Sequence, residues 1–302
     1  MKFDRTLSPS FINALNELYE SEKPWWRIIA DDDEDVFILI RKNKVLVQTN
    51  GGLLIEIGQD GQQKLICKMH EDYLTLRSKH PYITLDENSP APIQRVKGLK
   101  GFAEHYIKIK QRISIFTKKE KQAVQYLANH IPNVVDIEIG YEGEMKENAL
   151  KTSVPRIDMA AITNHGTLVF FEVKLFDNSE IHSKEMTQET PKVVDQLKKY
   201  KDWLDKCVGD IVAGYQDQLD VYRKLNGNYF GKRSKNHDIL SLHPNPRLII
   251  TGFDASQRDT RLSRFLVGIH EGTGWAQKSK DLIATGDHKK LAGSNRLFLG
   301  LK

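Results

Sequence analysis

The chain has 302 residues, 39% of them hydrophobic and 28% charged, with a formal net charge of +5. That length allows two domains of common size, and no run approaches the roughly 18 to 20 apolar residues of a membrane span, so a soluble protein without a membrane partner is expected. The opening "MKFDRTLSPSF" has no apolar stretch of a secretory signal, and Cys67 and Cys207 form no CxxC pair, so neither a disulfide framework nor a zinc site is implied and a reducing cytoplasm is the simplest setting.

In chain order, "FINALNELYE" spaces Phe11, Leu15, Leu18 and Tyr19 as one helical face, with "LSPS" before it to supply the cap. The acidic run Asp31-Asp-Asp-Glu-Asp35 reads as an exposed loop rather than a metal site, because consecutive carboxylates repel and diverge. "DVFILI", "KVLVQT", "GLLIEIG" and "QKLICKM", punctuated by "RKN", "NGG" and "QDGQ", read as a meander of hairpins. Residues 82–101, with Pro90, Pro92, Gly98 and Gly101, show no period and read as a linker. A helix at about 118–130 follows, then strands over "VVDIEIGY", "RIDMAAIT" and "TLVFFEVKLF". A helix at about 191–206, the strand "RLIITGF" and a helix over "TRLSRFLVGIH" complete an α/β order. The expected organisation is an N-terminal α+β domain over 1–100, rich in hairpins and of unknown role, and a C-terminal α/β domain over 101–302.

Two segments concentrate positive charge. Residues 95–121 hold nine Lys or Arg against Glu104 and Glu120, and "YRKLNGNYFGKRSK" interleaves five basic residues with Tyr222, Tyr229 and Phe230. Basic residues with aromatics between them suit a phosphate backbone and its bases; a solvated loop is the other reading.

The stretch "LVFFEVKLF", residues 168–176, sets Glu172 and Lys174 inside an apolar run. On a strand these two emerge on one face, with Phe171, Val173 and Leu175 on the other. Counting outward from a turn centred near His165, Asp158 lies seven residues back and Glu172 seven forward, so a hairpin brings the two carboxylates together. Paired carboxylates call for a cation, and oxygen ligands suit Mg²⁺ or Mn²⁺. A salt bridge among Glu172, Lys174 and their neighbours is the structural alternative. Other catalytic motifs fail: "GNYFGKRS" lacks the spacing and the Ser or Thr of a P-loop, and no H-E-x-x-H or G-x-S-x-G occurs.

Pro155-Arg-Ile-Asp158 followed by Glu172-Val-Lys174 resembles the signature of the PD-(D/E)xK nucleases, and Gln196 and Tyr200 on the following helix are similar to the Gln-x-x-x-Tyr of the RecB-type branch. The resemblance covers roughly residues 115–260. It implies a restriction-endonuclease-like α/β core, a mixed sheet flanked by helices. It also implies metal-dependent cleavage of phosphodiester bonds, in DNA first and with RNA left open, in a defence, restriction or mobile-element setting. Asp158, Glu172 and the Val173 carbonyl would ligate Mg²⁺ or Mn²⁺, Lys174 would orient or activate water, and Gln196 and Tyr200 would position substrate. Glu120 matches the glutamate this family places on the helix before the first core strand and would complete the metal site; Thr117-x-x-Glu120 is equally a capping box. The alternative is a non-catalytic nucleic-acid-binding or assembly subunit on the same scaffold. A homodimer, or a protein partner through the N-terminal domain, is left open.

Overall fold

The Ser8 hydroxyl accepts the Phe11 N–H at 3.2 Å, and with Pro9 in the first turn this starts α1 (Pro9–Glu20), the helix expected there. The sequence was silent about α2 (Pro24–Asp31), which places Trp25 and Trp26 in the core. The computed structural model describes residues 3–70, 73, 82–85, 98–131, 133–140, 156–182, 190–236, 238–274 and 280–292.

The expected meander forms an antiparallel sheet in the order β1 (Val36–Ile40), β2 (Val45–Thr49), β3 (Gly52–Gln59), β4 (Leu65–His70), β5 (Tyr82–Leu85). Lys42 with Asn43, and Asn50 with Gly51, take positive φ at the first two hairpin turns, the twist such tight turns require. Two elements overturn the expected linker over 82–101: β5 occupies its start, and α3 (Gly98–Phe116) begins before its end. The glycines that suggested a linker sit in the first turn of α3, whose inward face of Phe102, Tyr106, Ile109 and Ile113 was masked in sequence by interspersed charges. α4 (Lys119–His130) follows.

Beyond α4 run β6 (Val134–Gly140), β7 (Arg156–Ile162) and β8 (Thr167–Leu175). Then come α5 (Lys192–Tyr222), α6 (Asn228–Arg233), β9 (Ser241–Leu242), β10 (Arg247–Thr251), α7 (Ala255–Gln257), α8 (Ser263–Thr273) and β11 (Leu282–Thr285). The expected end of the fifth helix near 206 marks a kink, since Cys207 leaves helical geometry (φ −116°, ψ 16°) and the helix then continues. These strands form a mixed sheet ordered β11–β10–β8–β7–β6, with β9 beside the start of β8. β6, β7 and β8 are antiparallel neighbours, whereas β8, β10 and β11 are parallel. Seven consecutive residues of β8, Leu168–Lys174, are buried, as befits a central strand covered on both faces. Trp203 of α5 meets Phe170 edge to face at 5.9 Å, which puts α5 on the face that also carries Glu172 and Lys174.

The chain divides into two compact units whose bounds differ from the expected break at residue 100. One comprises Asp4–Pro132 and Gly214–Asn236; the other comprises Met1–Phe3, Asn133–Ala213 and His237–Lys302. The helices α3 and α4 pack with the N-terminal sheet, and the chain returns to that unit after residue 213. Each unit is mixed α/β. Among the described residues no helix is long and apolar enough to cross a membrane, and Cys67 and Cys207 form no disulfide.

Candidate functional site

In the hairpin of β7 and β8, Met159 pairs with Phe171, Ala160 with Phe170, Ala161 with Val169 and Ile162 with Leu168. One step outward sets Asp158 opposite Glu172, the register counted from the turn. The Asp158 carboxylate accepts the Val173 N–H through Oδ2 at 2.8 Å, which fixes it against β8. A strand residue directs its N–H and C=O toward the same neighbour, so the Val173 carbonyl faces this side as well.

Glu172 is 1% exposed and Lys174 5%. The Lys174 ammonium bridges two carboxylates, Glu172 Oε1 at 2.7 Å and Glu180 Oε2 at 2.6 Å. Burial opposes the charge on Lys174, but the attraction of Glu172, the hydrogen bonds to Glu172 and Glu180 and the attraction of Asp158 outweigh it and hold the lysine above its ordinary pKa. Glu180 was missed in the sequence. It lies on a single 3₁₀ turn, Ser179–Ile181, capped by the Asn178 side chain, and no strand or helix period points to it.

Gln196 and Tyr200 share one face of α5, as their spacing requires. The Gln196 side-chain amide donates to the Tyr200 hydroxyl at 2.7 Å, and that hydroxyl donates to the backbone carbonyl of Arg156 at 2.7 Å. Tyr200 is fully buried; burial, then the negative charges of Glu172 and Asp158, push its phenol above the ordinary tyrosine range. The pair therefore straps α5 to β7 two residues from Asp158. α5 begins at Lys192, one residue later than expected, after Pro191.

Glu138 of β6 is a further acid the sequence did not single out. Its neighbours Ile137 and Ile139 pair with Met159 and Ile157, which sets Glu138 across from Asp158, and its carboxylate meets Arg156 at 3.4 Å. Its φ of +52° is rare for a residue other than glycine. Glu120 belongs to the other unit, in the first turn of α4. The capping box offered as its other role does not form: Lys118 is the N-cap, and the Thr117 hydroxyl donates instead to the Asn50 carbonyl at 2.7 Å. Pro155 lies outside the described residues.

Asp158, Glu172 and the Val173 carbonyl would offer a cation oxygen donors only, the kind Mg²⁺ and Mn²⁺ take. Three carboxylates, Asp158, Glu172 and Glu180, face one ammonium, a charge balance that suits a divalent cation. Among the described residues no group of three or more His, Cys, Asp or Glu side chains is gathered to hold a metal. A bound ion would therefore take much of its shell from the backbone, water and substrate, as Mg²⁺ commonly does.

Both basic segments look different once folded. In the second, Tyr222, Tyr229, Phe230 and Arg233 are buried, with the Arg233 guanidinium 4.7 Å from the Phe37 ring centre and donating to the Ala128 carbonyl. Lys232 pairs with Asp33 and Arg223 with Asp220, so these aromatics are core and offer no platform for bases. In the first, Lys110 is buried between Asp32 and Asp35, while Lys108, Lys118 and Lys119 are exposed; Arg95 and Lys97 lie outside the described residues. The acidic run, expected as a solvated loop, is thereby a hub: Asp31 accepts from the Tyr19 hydroxyl and the Asn228 N–H, and Asp32 from Tyr106. The partners come from elements far away in sequence, which a local reading does not see.

Compared with known proteins, the chain matches no family model, no curated protein and no solved structure.

Proposed function

We propose that this protein is a metal-dependent nuclease that hydrolyses phosphodiester bonds in DNA with Mg²⁺ or Mn²⁺. The observation that carries this reading is the placement of Asp158 opposite Glu172 with Lys174 on the same face of β8, two charged strand residues and a third across the hairpin. Asp158, Glu172 and the Val173 carbonyl would hold the ion. When bound, the ion lowers the pKa of a water and offsets charge on the phosphate. Lys174 orients the attacking water and meets the negative charge that grows on the phosphate, the largest contribution expected for such chemistry. To do so its ammonium exchanges one of its two carboxylates for water or phosphate. Tyr200 and Gln196 act through the backbone: by holding the Arg156 carbonyl they fix the height of Asp158 along the hairpin.

The test is cleavage of circular single-stranded and supercoiled double-stranded DNA with Mg²⁺, Mn²⁺ or EDTA. Cutting should require the metal. Lys174→Ala should lower the rate at least about 100-fold, and Lys174→Arg, which keeps the buried charge paired, should lower it too because a planar guanidinium does not replace a compact ammonium. Parental rates in both variants would sink the mechanism. Asp158→Asn should weaken Mn²⁺ binding by calorimetry; an unchanged affinity would remove Asp158 from the site.

A second reading, a non-catalytic nucleic-acid-binding subunit, is favoured by the closed ion pairing of Lys174 with both Glu172 and Glu180. DNA binding without cutting under any metal would select it.

A further inference from the structure

After β10 the chain turns at Gly252, passes the capped turn α7 and opens into a five-residue π turn, Arg258–Leu262, before α8. Such wide turns are rare and gather at functional sites. Two arginines lie in it, and they are held differently. Arg258 grips its neighbour Asp259 through two hydrogen bonds, Nε to Oδ1 at 2.6 Å and Nη2 to Oδ2 at 3.1 Å, so its fork is occupied. Arg261 is exposed, and its guanidinium carbon lies 5.5 Å from the ring centre of Phe176 and 5.9 Å from that of Phe265. Among the described residues it makes no hydrogen bond or ion pair.

Those two rings tie Arg261 to the candidate site. Phe176 directly follows β8, two residues after Lys174, and its N–H donates to the Thr251 carbonyl at the end of β10. Phe265 also stacks on His182 at 4.4 Å, two residues after Glu180, and His182 Nε2 lies 3.1 Å from the Phe176 carbonyl oxygen. Phe176 and Phe265 meet at 5.6 Å, which makes one buried aromatic step beneath the guanidinium. A guanidinium steadied by rings keeps its planar set of N–H donors for a ligand, and a phosphate matches that set in geometry and charge. The site itself presents three carboxylates to one ammonium, so an approaching phosphodiester needs cationic charge at its rim.

We propose that Arg261 is a substrate-binding residue that grips a backbone phosphate of the DNA strand entering the site, next to the phosphodiester to be cut. The choice of ligand rests on the nuclease reading above. Arg261 positions the strand and takes no part in the bond-breaking step.

The experiment is fluorescence anisotropy of a labelled DNA duplex and of its single strand in EDTA, across a salt series. It is run with the parent, Arg261→Glu, Arg261→Ala and Arg261→Lys, with cleavage in Mg²⁺ measured alongside and folding checked by thermal melting. Arg261→Glu should weaken binding about tenfold or more, and Arg261→Ala should lower the salt slope by about one, the mark of one lost phosphate contact. Arg261→Lys should fall between, since it keeps the charge and loses the fork. Where the variants cut, the deficit should appear in KM more than in kcat. A parent that does not bind DNA, or variants that melt like the parent and match it in affinity, salt slope and KM, would overturn the inference. If those matched variants also cut normally, the nuclease reading stands without it; if the parent binds DNA, Arg261→Glu weakens that binding and nothing cuts, the phosphate contact stands and the nuclease reading falls.

Discussion

Lys110 and Lys174 are each 5% exposed, and each bridges two carboxylates: Asp32 and Asp35 for Lys110, Glu172 and Glu180 for Lys174. Each has a tyrosine nearby, Tyr106 donating to Asp32 at 2.8 Å and Tyr200 lying under the charge of Glu172. The parallel extends to a second motif. Gln218 donates to the Tyr222 hydroxyl at 3.0 Å, and that hydroxyl donates to the Ile38 carbonyl at 2.7 Å, the same strap that Gln196 and Tyr200 make to Arg156. A buried lysine among acids, and a Gln-x-x-x-Tyr on a helix, are therefore structural devices in their own right. Lys110 lies on a helix and joins a loop to it, which pins the fold. Lys174 lies on a strand whose alternation presents it beside Glu172, with Asp158 of the next strand brought to the same place by the hairpin. Only the second arrangement juxtaposes two carboxylates and an ammonium on one sheet face.

Substitution at both lysines sharpens the contrast most. Lys110→Met should destabilise the protein by about 3–5 kcal/mol in urea unfolding, because Asp32 is left without its counter-charge. Its effect on cleavage by the folded fraction should be small, whereas Lys174→Arg should be well folded and poorly active. Equal loss of activity in the two would erase the distinction between pin and site.

Next in size are the straps. Tyr200→Phe should lower cleavage about 10- to 100-fold by letting Asp158 shift, and Tyr222→Phe should leave kcat unchanged. Tyr200→Phe should cost about 1–3 kcal/mol of stability, since the Arg156 carbonyl loses its tyrosine donor, and Tyr222→Phe should cost less, since the Tyr229 hydroxyl also donates to the Ile38 carbonyl at 3.2 Å. Steady-state kinetics and urea titrations of the two variants check this, and a normal kcat for Tyr200→Phe would reduce that pair to another core strap.

Glu180 is half-exposed, so Glu180→Gln should change stability by less than about 1 kcal/mol. If Glu180 holds Lys174 in place, the variant should still cut several-fold more slowly. The smallest effect is expected at Lys232→Ala, where the pair with Asp33 is partly solvated and worth about 0.5 kcal/mol or less.

The site was legible in the sequence where the signal was local. Asp158, Glu172 and Lys174 follow from strand alternation and a turn count, because a hairpin's register is set by its own residues. That Gln196 and Tyr200 share one helix face follows from their spacing, whereas their place in the candidate site came from the resemblance to the Gln-x-x-x-Tyr pattern. Glu180 was hidden because a single 3₁₀ turn has no period to read. Glu138 was hidden because its position across from Asp158 depends on the register of β6 with β7, which no short turn between them fixes. The interleaved aromatics of residues 222–235 misled because composition does not say which way a side chain points; burial turned a nucleic-acid platform into core.

The sequence by itself determined the local elements: the hairpins of the first sheet, the three antiparallel strands of the second and the face on which Glu172 and Lys174 emerge. Periodicity and turn chemistry are short-range, and they leave little choice within a dozen residues. Only the tertiary structure decided that the acidic run is a hub for Lys110, Tyr106 and Lys232, that the chain returns to its first unit after residue 213, and that Arg261 rests on the rings beside Lys174. Apart from the contact of Arg261 with Phe265, four residues away, these join residues dozens to nearly two hundred positions apart, where the outcome depends on how packed elements bury their apolar faces and satisfy their charges together.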